Sequence, residues 1–376
     1  MKEKKQRKKR VSTYFDYNML FVLIFLICFG LVMLYSSSSY TAANKFGDSA
    51  YYLKRQLRAI AVGLVPMTAL AFIDYHVWKK FGEIAYFGAI LLCVAVFIPG
   101  IGTSSHGSSR WIGIGPLSFQ PSEVAKIAVI ICLAVLIEKV SKNIEKTKTI
   151  FLLLGLMMPL VGIIAISNLS TGIIVMGIAV CMLFVANPKI WPFVGIGLFA
   201  IVFVVVFVMF AGYRNDRIKA WLHPETAGDK GYQTMMGLYA IGSGKLFGKG
   251  LGESLQKMGH VPESQNDMIF SIICEELGLF GAICVIMLYV LLIWRMMVIA
   301  NNARDLFGAL IVVGVMAHIS LQVILNIAVV TNTFPNTGVT LPFISYGGTS
   351  IVFLMSEMGL VLSVSRGIRL ENIEEK

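Results

Sequence analysis

Charge is scarce in this sequence. Asp, Glu, Lys and Arg make up 14% of its 376 residues, and hydrophobic residues make up 57%. Soluble domains carry roughly 25% charged residues, so the deficit excludes an ordinary soluble fold. Cysteine is sparse and badly placed for chemistry: all six (Cys28, Cys93, Cys132, Cys181, Cys274 and Cys284) fall inside apolar runs. None has metal-ligand spacing, and none sits in a loop where a disulfide would be useful. A phosphate-binding loop is also missing. The glycine-rich 242-GSGKLFGKGLG-252 has no glycine five residues before Gly248-Lys249 and no Ser or Thr after that lysine. The N-terminal stretch has no clear signal-peptide cleavage site, so its first apolar run is expected to be retained.

What the sequence does have is long apolar runs. A hydrocarbon core ~30 Å thick requires about 20 apolar residues per helical crossing. Such runs lie near 18–38, 57–73, 82–99, 122–138, 149–167, 172–187, 190–211, 268–294, 306–330 and 349–365. The expected fold is all-α, a polytopic membrane protein of about ten transmembrane helices. Residues 1–16 form a basic tail, 17–367 the transmembrane domain with a large external loop at 212–266, and 368–376 a short second tail.

The tail MKEKKQRKKR carries seven basic residues, which by the positive-inside rule place it in the cytoplasm; binding of nucleic acid by it is not expected. Ten spans then return the C-terminus to the same side. The connections holding Lys79, Lys139, Lys189, Arg295 and Arg304 fall inside, and 168–171 and 331–348, which lack Lys and Arg, fall outside. The 212–266 loop breaks the pattern with Arg214, Arg217, Lys219, Lys230, Lys245, Lys249 and Lys257. Loops of this length cross regardless of charge. Their positives suit either anionic lipid headgroups or an anionic ligand held at the membrane surface. Apolar spacing in 231-GYQTMMGLYAIGSG-244 predicts a helix along the interface.

Ionisable residues inside spans persist because they pair, face water or act. Glu123 and Lys126 are three apart on one helical face, where they can pair or share a cavity. Glu275 and Glu276 are adjacent and point about 100° apart. His318 and Glu357 add to the polar interior. Arg110 and Trp111 lie at an interface, as membrane anchors or ligand contacts. The segment 334-FPNTGVTLPFISYGGTS-350, dense in Pro, Gly and hydroxyls, reads as non-helical backbone lining a cavity. Just ahead of Glu275, the run 261-VPESQNDMIFSIICEELG-278 places Asp267 where a span begins.

Five ordered stretches, RWIGIGPLSFQPSEVAK, YRNDRI, GYQTMMGLYAIGSGKLFGKGLG, VPESQNDMIFSIICEELG and PNTGVTLPFISYGGTS, resemble the SEDS proteins (shape, elongation, division and sporulation), the group of FtsW and RodA. The resemblance spans residues from about 15 to 368. Asn336-Thr337-Gly338 is closer to the division-type FtsW, or its sporulation relative, than to RodA. It implies a glycosyltransferase that polymerises lipid II outside the cytoplasmic membrane, beside a class B penicillin-binding protein and other division proteins. The family's essential aspartate maps onto Asp267, its functional tryptophan onto Trp111, and the Glu and Lys of its QPSE motif onto Glu123 and Lys126. Gln233, Ser345 and Gly347 are further candidate substrate contacts. Asn266 and Met268 stand where many members have Thr and Phe, and Asn168 where many have aspartate.

For such a transfer one carboxylate suffices as general base for the acceptor hydroxyl. The pyrophosphate already leaves well, unlike the alcohol that a glycosidase's second carboxyl must protonate. Cations must neutralise it: Arg110, Arg214 and Arg217, or a divalent metal such as Mg²⁺ or Mn²⁺. Two other classes stay open. A lipid II flippase would depend on Glu123 and Lys126, and a non-enzymatic scaffold would tolerate loss of Asp267.

Overall fold

A computed structural model describes residues 14–99, 102–105, 108–114, 117–198 and 220–368. Apolar sequence becomes helix because the backbone groups of a lipid-embedded chain can be satisfied only within the segment. The helices are α1 (Tyr17–Phe46), α2 (Tyr51–Phe72), a short α3 (His76–Lys79), α4 (Gly82–Ala95), α5 (Pro121–Lys139), α6 (Thr147–Ser167) and α7 (Leu169–Ala186). After a partly described helical stretch over 191–198 come α8 (Asp229–Ser243), α9 (Ile269–Asn301), α10 (Leu306–Val330) and α11 (Ser350–Gly367). Six of these, α1, α6, α7, α9, α10 and α11, are long and apolar enough to cross a membrane. The helices α2 and α5 have 22 and 19 residues but carry Lys54, Arg55 and Arg58, and Glu123 and Lys126. Nine of the ten expected spans thus fall on described helices. The span expected at 190–211 lies mostly outside the described residues.

The fold is helical as expected, with one small addition between α4 and α5. There β1 (Gly102–Ser105), β2 (Ser108–Ile114) and β3 (Leu117–Phe119) pair as a three-stranded antiparallel sheet. Its β-branched and aromatic residues, Thr103, Trp111, Ile112, Ile114 and Phe119, suit strands once the chain leaves the bilayer, a signal that hydropathy windows average away.

Short connections make sequential helices antiparallel, which sorts the loops to two ends. At one end Arg295 pairs with Asp16 at 2.6 Å, and Asp16 caps α1 through the Met19 amide. His76 bridges Asp74 and Asp305, the latter capping α10. At the other end gather the sheet, the α6–α7 junction, α8, the start of α9 and the 331–349 segment. That segment is non-helical, as its composition predicts, and residues 341–345 are buried.

The two adjacent glutamates of α9 point apart as expected, and each is buried and paired with a lysine. Glu275 accepts from Lys249 at 2.6 Å and from Ser254, and Glu276 accepts from Lys257 at 2.7 Å and from Ser36 of α1 at 2.7 Å. Two of the seven basic residues of the 212–266 loop thus fasten it to the bundle. Breaking a buried pair by removing one partner costs about 3–5 kcal/mol, whereas removing both charges is often neutral. Lys257→Met is therefore expected to lower the melting temperature of the detergent-purified protein markedly, and the double variant with Glu276→Gln to recover most of the loss.

Candidate active site

Asp267 sits at the turn leading into α9, one residue before the Met268 cap. Its surroundings come from three distant parts of the chain. From α8, Gln233 Nε2 donates to Asp267 Oδ1 at 3.4 Å. From the non-helical segment, Asn336 Nδ2 donates to Gln233 Oε1 at 3.0 Å. Gly338, with φ +64°, lies so close that a Cβ there would stand 3.7 Å from Asp267 Oδ2. From α10, Asn326 Nδ2 donates to the Asp267 carbonyl at 2.8 Å. The side chain is partly buried, with Met268 and Ile269 sealed beneath it.

That setting pushes the Asp267 carboxyl up to about 7. Desolvation by its buried position is the main cause and the negative charge of Glu263 adds to it. Backbone amides and Gln233 pull the other way. Glu263 is itself held at φ +53° and bonded by the Asn266 amide. A carboxyl with this value is half-ionised near neutrality, which suits a proton acceptor.

The other sequence candidates divide into two groups. Arg110 Nε donates to the Ser167 carbonyl at 2.9 Å, at the α6–α7 junction. Three residues on, Ser170 Oγ donates to the Thr337 carbonyl at 3.3 Å, so Arg110 lies at the edge of the structure that packs on Asp267. Trp111 stands beside it in β2, paired in register with Thr103. Asn168, in place of an aspartate, still caps α7 through the Thr171 amide. Glu123 and Lys126 pair at 2.8 Å in the first turns of α5, and Ser350 donates to Glu123 at 3.1 Å. These two are buried and satisfy each other. Ser345 and Gly347 are placed by α2: Gln56 Nε2 donates to the Ser345 carbonyl and the Gly347 amide donates to Gln56 Oε1, both at 3.4 Å. The Ser345 hydroxyl accepts from the Leu341 amide at 2.8 Å, an internal role. Arg214 and Arg217 lie outside the described residues.

Sequence reasoning overlooked one group. The Tyr346 amide donates to the Gln265 carbonyl at 2.9 Å, tying the 345–347 turn to the Asp267 loop. Tyr52 meets Tyr346 edge-to-face at 5.0 Å, and exposed Arg55 reaches Tyr346 and the Tyr51 ring. The signal was available: 54-KRQLR-58 opens a span at the end where the positive-inside rule expects few positives. Among the described residues, no group of three His, Cys, Asp or Glu side chains could hold a metal.

A multi-pass helical bundle with a desolvated carboxylate at its rim, held among side-chain amides, is the class of protein that fold and site define. The chain belongs to the FtsW/RodA/SpoVE family, whose model, described as a cell cycle protein, matches residues 17–370. It is 40% identical over 354 residues to stage V sporulation protein E of Bacillus subtilis, covering 93% of this chain and 97% of that one. It is 37% identical to a probable peptidoglycan glycosyltransferase FtsW of a Geobacter species, covering 96% and 99%. Among solved structures it resembles a chain of a peptidoglycan synthase complex coordinating polymerization and crosslinking, with TM-score 0.77, 26% identity and coverage of 94% and 98%. It also resembles Thermus thermophilus RodA, with TM-score 0.67, 26% identity and coverage of 95% and 98%.

Proposed function

We propose that this protein is a peptidoglycan glycosyltransferase that polymerises lipid II at the outer face of the cytoplasmic membrane, with Asp267 as general base. The observation that carries the reading is the desolvated Asp267 carboxyl at the rim of an apolar bundle, where a polyprenyl-anchored sugar would be presented. In its ionised form Asp267 takes the proton from the 4-hydroxyl of the acceptor sugar as that oxygen attacks the donor's anomeric carbon. The bond to pyrophosphate breaks in the same step, with inversion, and the pyrophosphate leaves with its electron pair. Arg110, joined to the Ser167 carbonyl, and Arg55, which reaches Tyr346, are the described arginines taken here to neutralise it, and a guanidinium suits phosphate oxygens. A divalent cation such as Mg²⁺ or Mn²⁺ would supply the same charge neutralisation as an alternative, and it would be distinguished by whether EDTA abolishes turnover.

In this reading the seven positives of the N-terminal tail favour a cytoplasmic N-terminus, and ten spans would then put the C-terminus on the same side and Asp267 outside. A class B penicillin-binding protein is the partner proposed to crosslink the product, a pairing supported by the likeness to a synthase complex. Relatives bearing division and sporulation names favour a septal role. Filamentation on depletion is expected in that case, and rounding of rods would indicate elongation instead. The flippase alternative loses support from the position of Glu123 and Lys126. They lie in the first turns of α5, at the Asp267 end and paired, rather than at the midplane where alternating-access sites form.

The test is incubation of purified protein with labelled lipid II, with and without a cognate transpeptidase. Glycan ladders support the proposal, and translocation without lengthening would replace it. The rate should rise with pH through a midpoint near 7, because only the ionised base accepts a proton. Glu263→Gln removes a neighbouring negative charge, so its midpoint should move to lower pH; an unshifted profile would break the assignment to Asp267.

A further inference from the structure

His318, Gln322 and Asn326 recur every four residues along α10 and so share one of its faces. All three are buried in an otherwise apolar core, and the mechanism above uses none of them. Halfway along the helix, His318 Nδ1 lies 2.7 Å from Glu357 Oε2 of α11, and its Nε2 lies 2.8 Å from Gln322 Oε1. One turn further, Gln322 Nε2 donates to the Thr340 carbonyl at 3.0 Å. At the next turn, Asn326 Nδ2 donates to two carbonyls, Val339 at 2.7 Å and Asp267 at 2.8 Å. Eight residues of helix rise about 12 Å. The stripe therefore runs from a buried acid in the middle of the bundle to the backbone of Asp267.

Chemistry fixes the direction of these bonds. A backbone carbonyl only accepts, so the Gln322 nitrogen must face Thr340 and its oxygen must face His318. That oxygen is satisfied only if His318 Nε2 carries a hydrogen, which leaves one proton shared between His318 Nδ1 and Glu357 Oε2. The second oxygen of Glu357 has no hydrogen-bond partner among the described residues. The Thr340 carbonyl thus orients the Gln322 amide, Gln322 and Glu357 together hold the His318 ring, and Gln322 holds the segment whose Gly338 lies beside the Asp267 carboxylate.

We infer that His318, Gln322 and Asn326 are positioning residues for the transfer reaction, setting the distance between the 337–340 backbone and Asp267. This rests on the reading of Asp267 as the base. One amide group of Asn326 clamps both sides of the site, so its loss lets the carboxylate drift from the acceptor hydroxyl without removing any substrate contact.

The experiment compares Asn326→Leu, Gln322→Met, His318→Leu and His318→Gln with wild type and Asp267→Asn. It measures lipid II polymerisation and backbone hydrogen exchange over 335–345. Misplacement of a reacting group by about 1 Å costs about 10²-fold in rate. Asn326→Leu and His318→Leu should therefore lose kcat on that scale, with KM within about twofold of wild type, since uniform binding is untouched. Exchange at 337–341 should accelerate in both. His318→Gln, which keeps a donor toward Gln322, should recover most of the loss caused by His318→Leu. Folded variants with wild-type kcat and unchanged exchange overturn the inference, as does a loss confined to KM. If Asp267→Asn polymerises normally, the base assignment fails on its own, and the exchange data still decide whether the stripe holds the segment.

Discussion

Asp267→Asn should reduce lipid II polymerisation by about 10²–10⁴-fold, the range that a positioned general base contributes. The amide matches the carboxyl in size and can still accept from Gln233, so the neighbouring Asn336 and Gly338 need not move. What it lacks is basicity. Stability should move the opposite way. The Asp267 carboxyl is raised from 3.8 to about 7 in the fold, so the folded protein binds its proton more tightly than the unfolded chain. Stability then falls as pH rises from near 4 to near 7, because ionisation must occur in a desolvated place. Above pH 7 the Asn variant escapes that cost and should melt higher than wild type. A variant both inactive and more stable separates catalysis from folding; an active one ends the base assignment.

Gly278→Ala should be the most destabilising alanine substitution in α9. The helix is broken there, with Gly278 at φ +67° and ψ −166°, a region essentially confined to glycine. The loop that descends from α8 fills the break. Lys249 and Gly250 amides donate to the Glu275 and Glu276 carbonyls at 3.0 and 2.9 Å, and Leu279 and Phe280 amides donate to Lys245 and Leu246 carbonyls at 2.9 and 3.0 Å. Loop and helix backbones touch so closely that a Cβ on Gly278 would fall 2.4 Å from the Gly248 nitrogen and 2.5 Å from the Leu246 oxygen. Neither neighbour is a side chain that can swing away. Strain at such a position costs about 1–3 kcal/mol before any clash is counted, so the total should exceed about 4 kcal/mol, a size that marks a specific structural failure. Expected observations are a large drop in melting temperature, tryptic cleavage at Lys245 or Lys249 under native conditions, and loss of activity through the Asp267 loop. Gly88→Ala in α4, where a Cβ meets nothing within 4 Å, is the control and should be neutral or mildly stabilising. If Gly278→Ala behaves like it, the loop is not seated in the helix break.

The spans, the helical 229–243 stretch and the non-helical 331–349 segment were legible because hydropathy and turn chemistry are local. Asp267 was legible from its place at the start of a span and from the motif around it. The sheet at 102–119 was not, since short strands outside the bilayer leave little imprint on a window tuned to helices. Arg55 and Tyr346 were missed for a different reason. Each looks like an interfacial anchor in its own segment, and only packing of α2 against the 345–347 turn gives them a common place near Asp267.

By itself the sequence determined that this chain crosses a membrane many times, that the crossings are helices, and that an acid stands at the mouth of one of them. Composition and period suffice for that, because lipid leaves the backbone almost no alternative. Tertiary structure alone decided which buried charges meet. Lys257 with Glu276 and Ser36, Gln233 with Asp267, and His318 with Glu357 are partners 19 to 240 residues apart. Helix packing, which no local pattern encodes, brought each donor to its acceptor, and burial then made leaving any of them unpaired too costly.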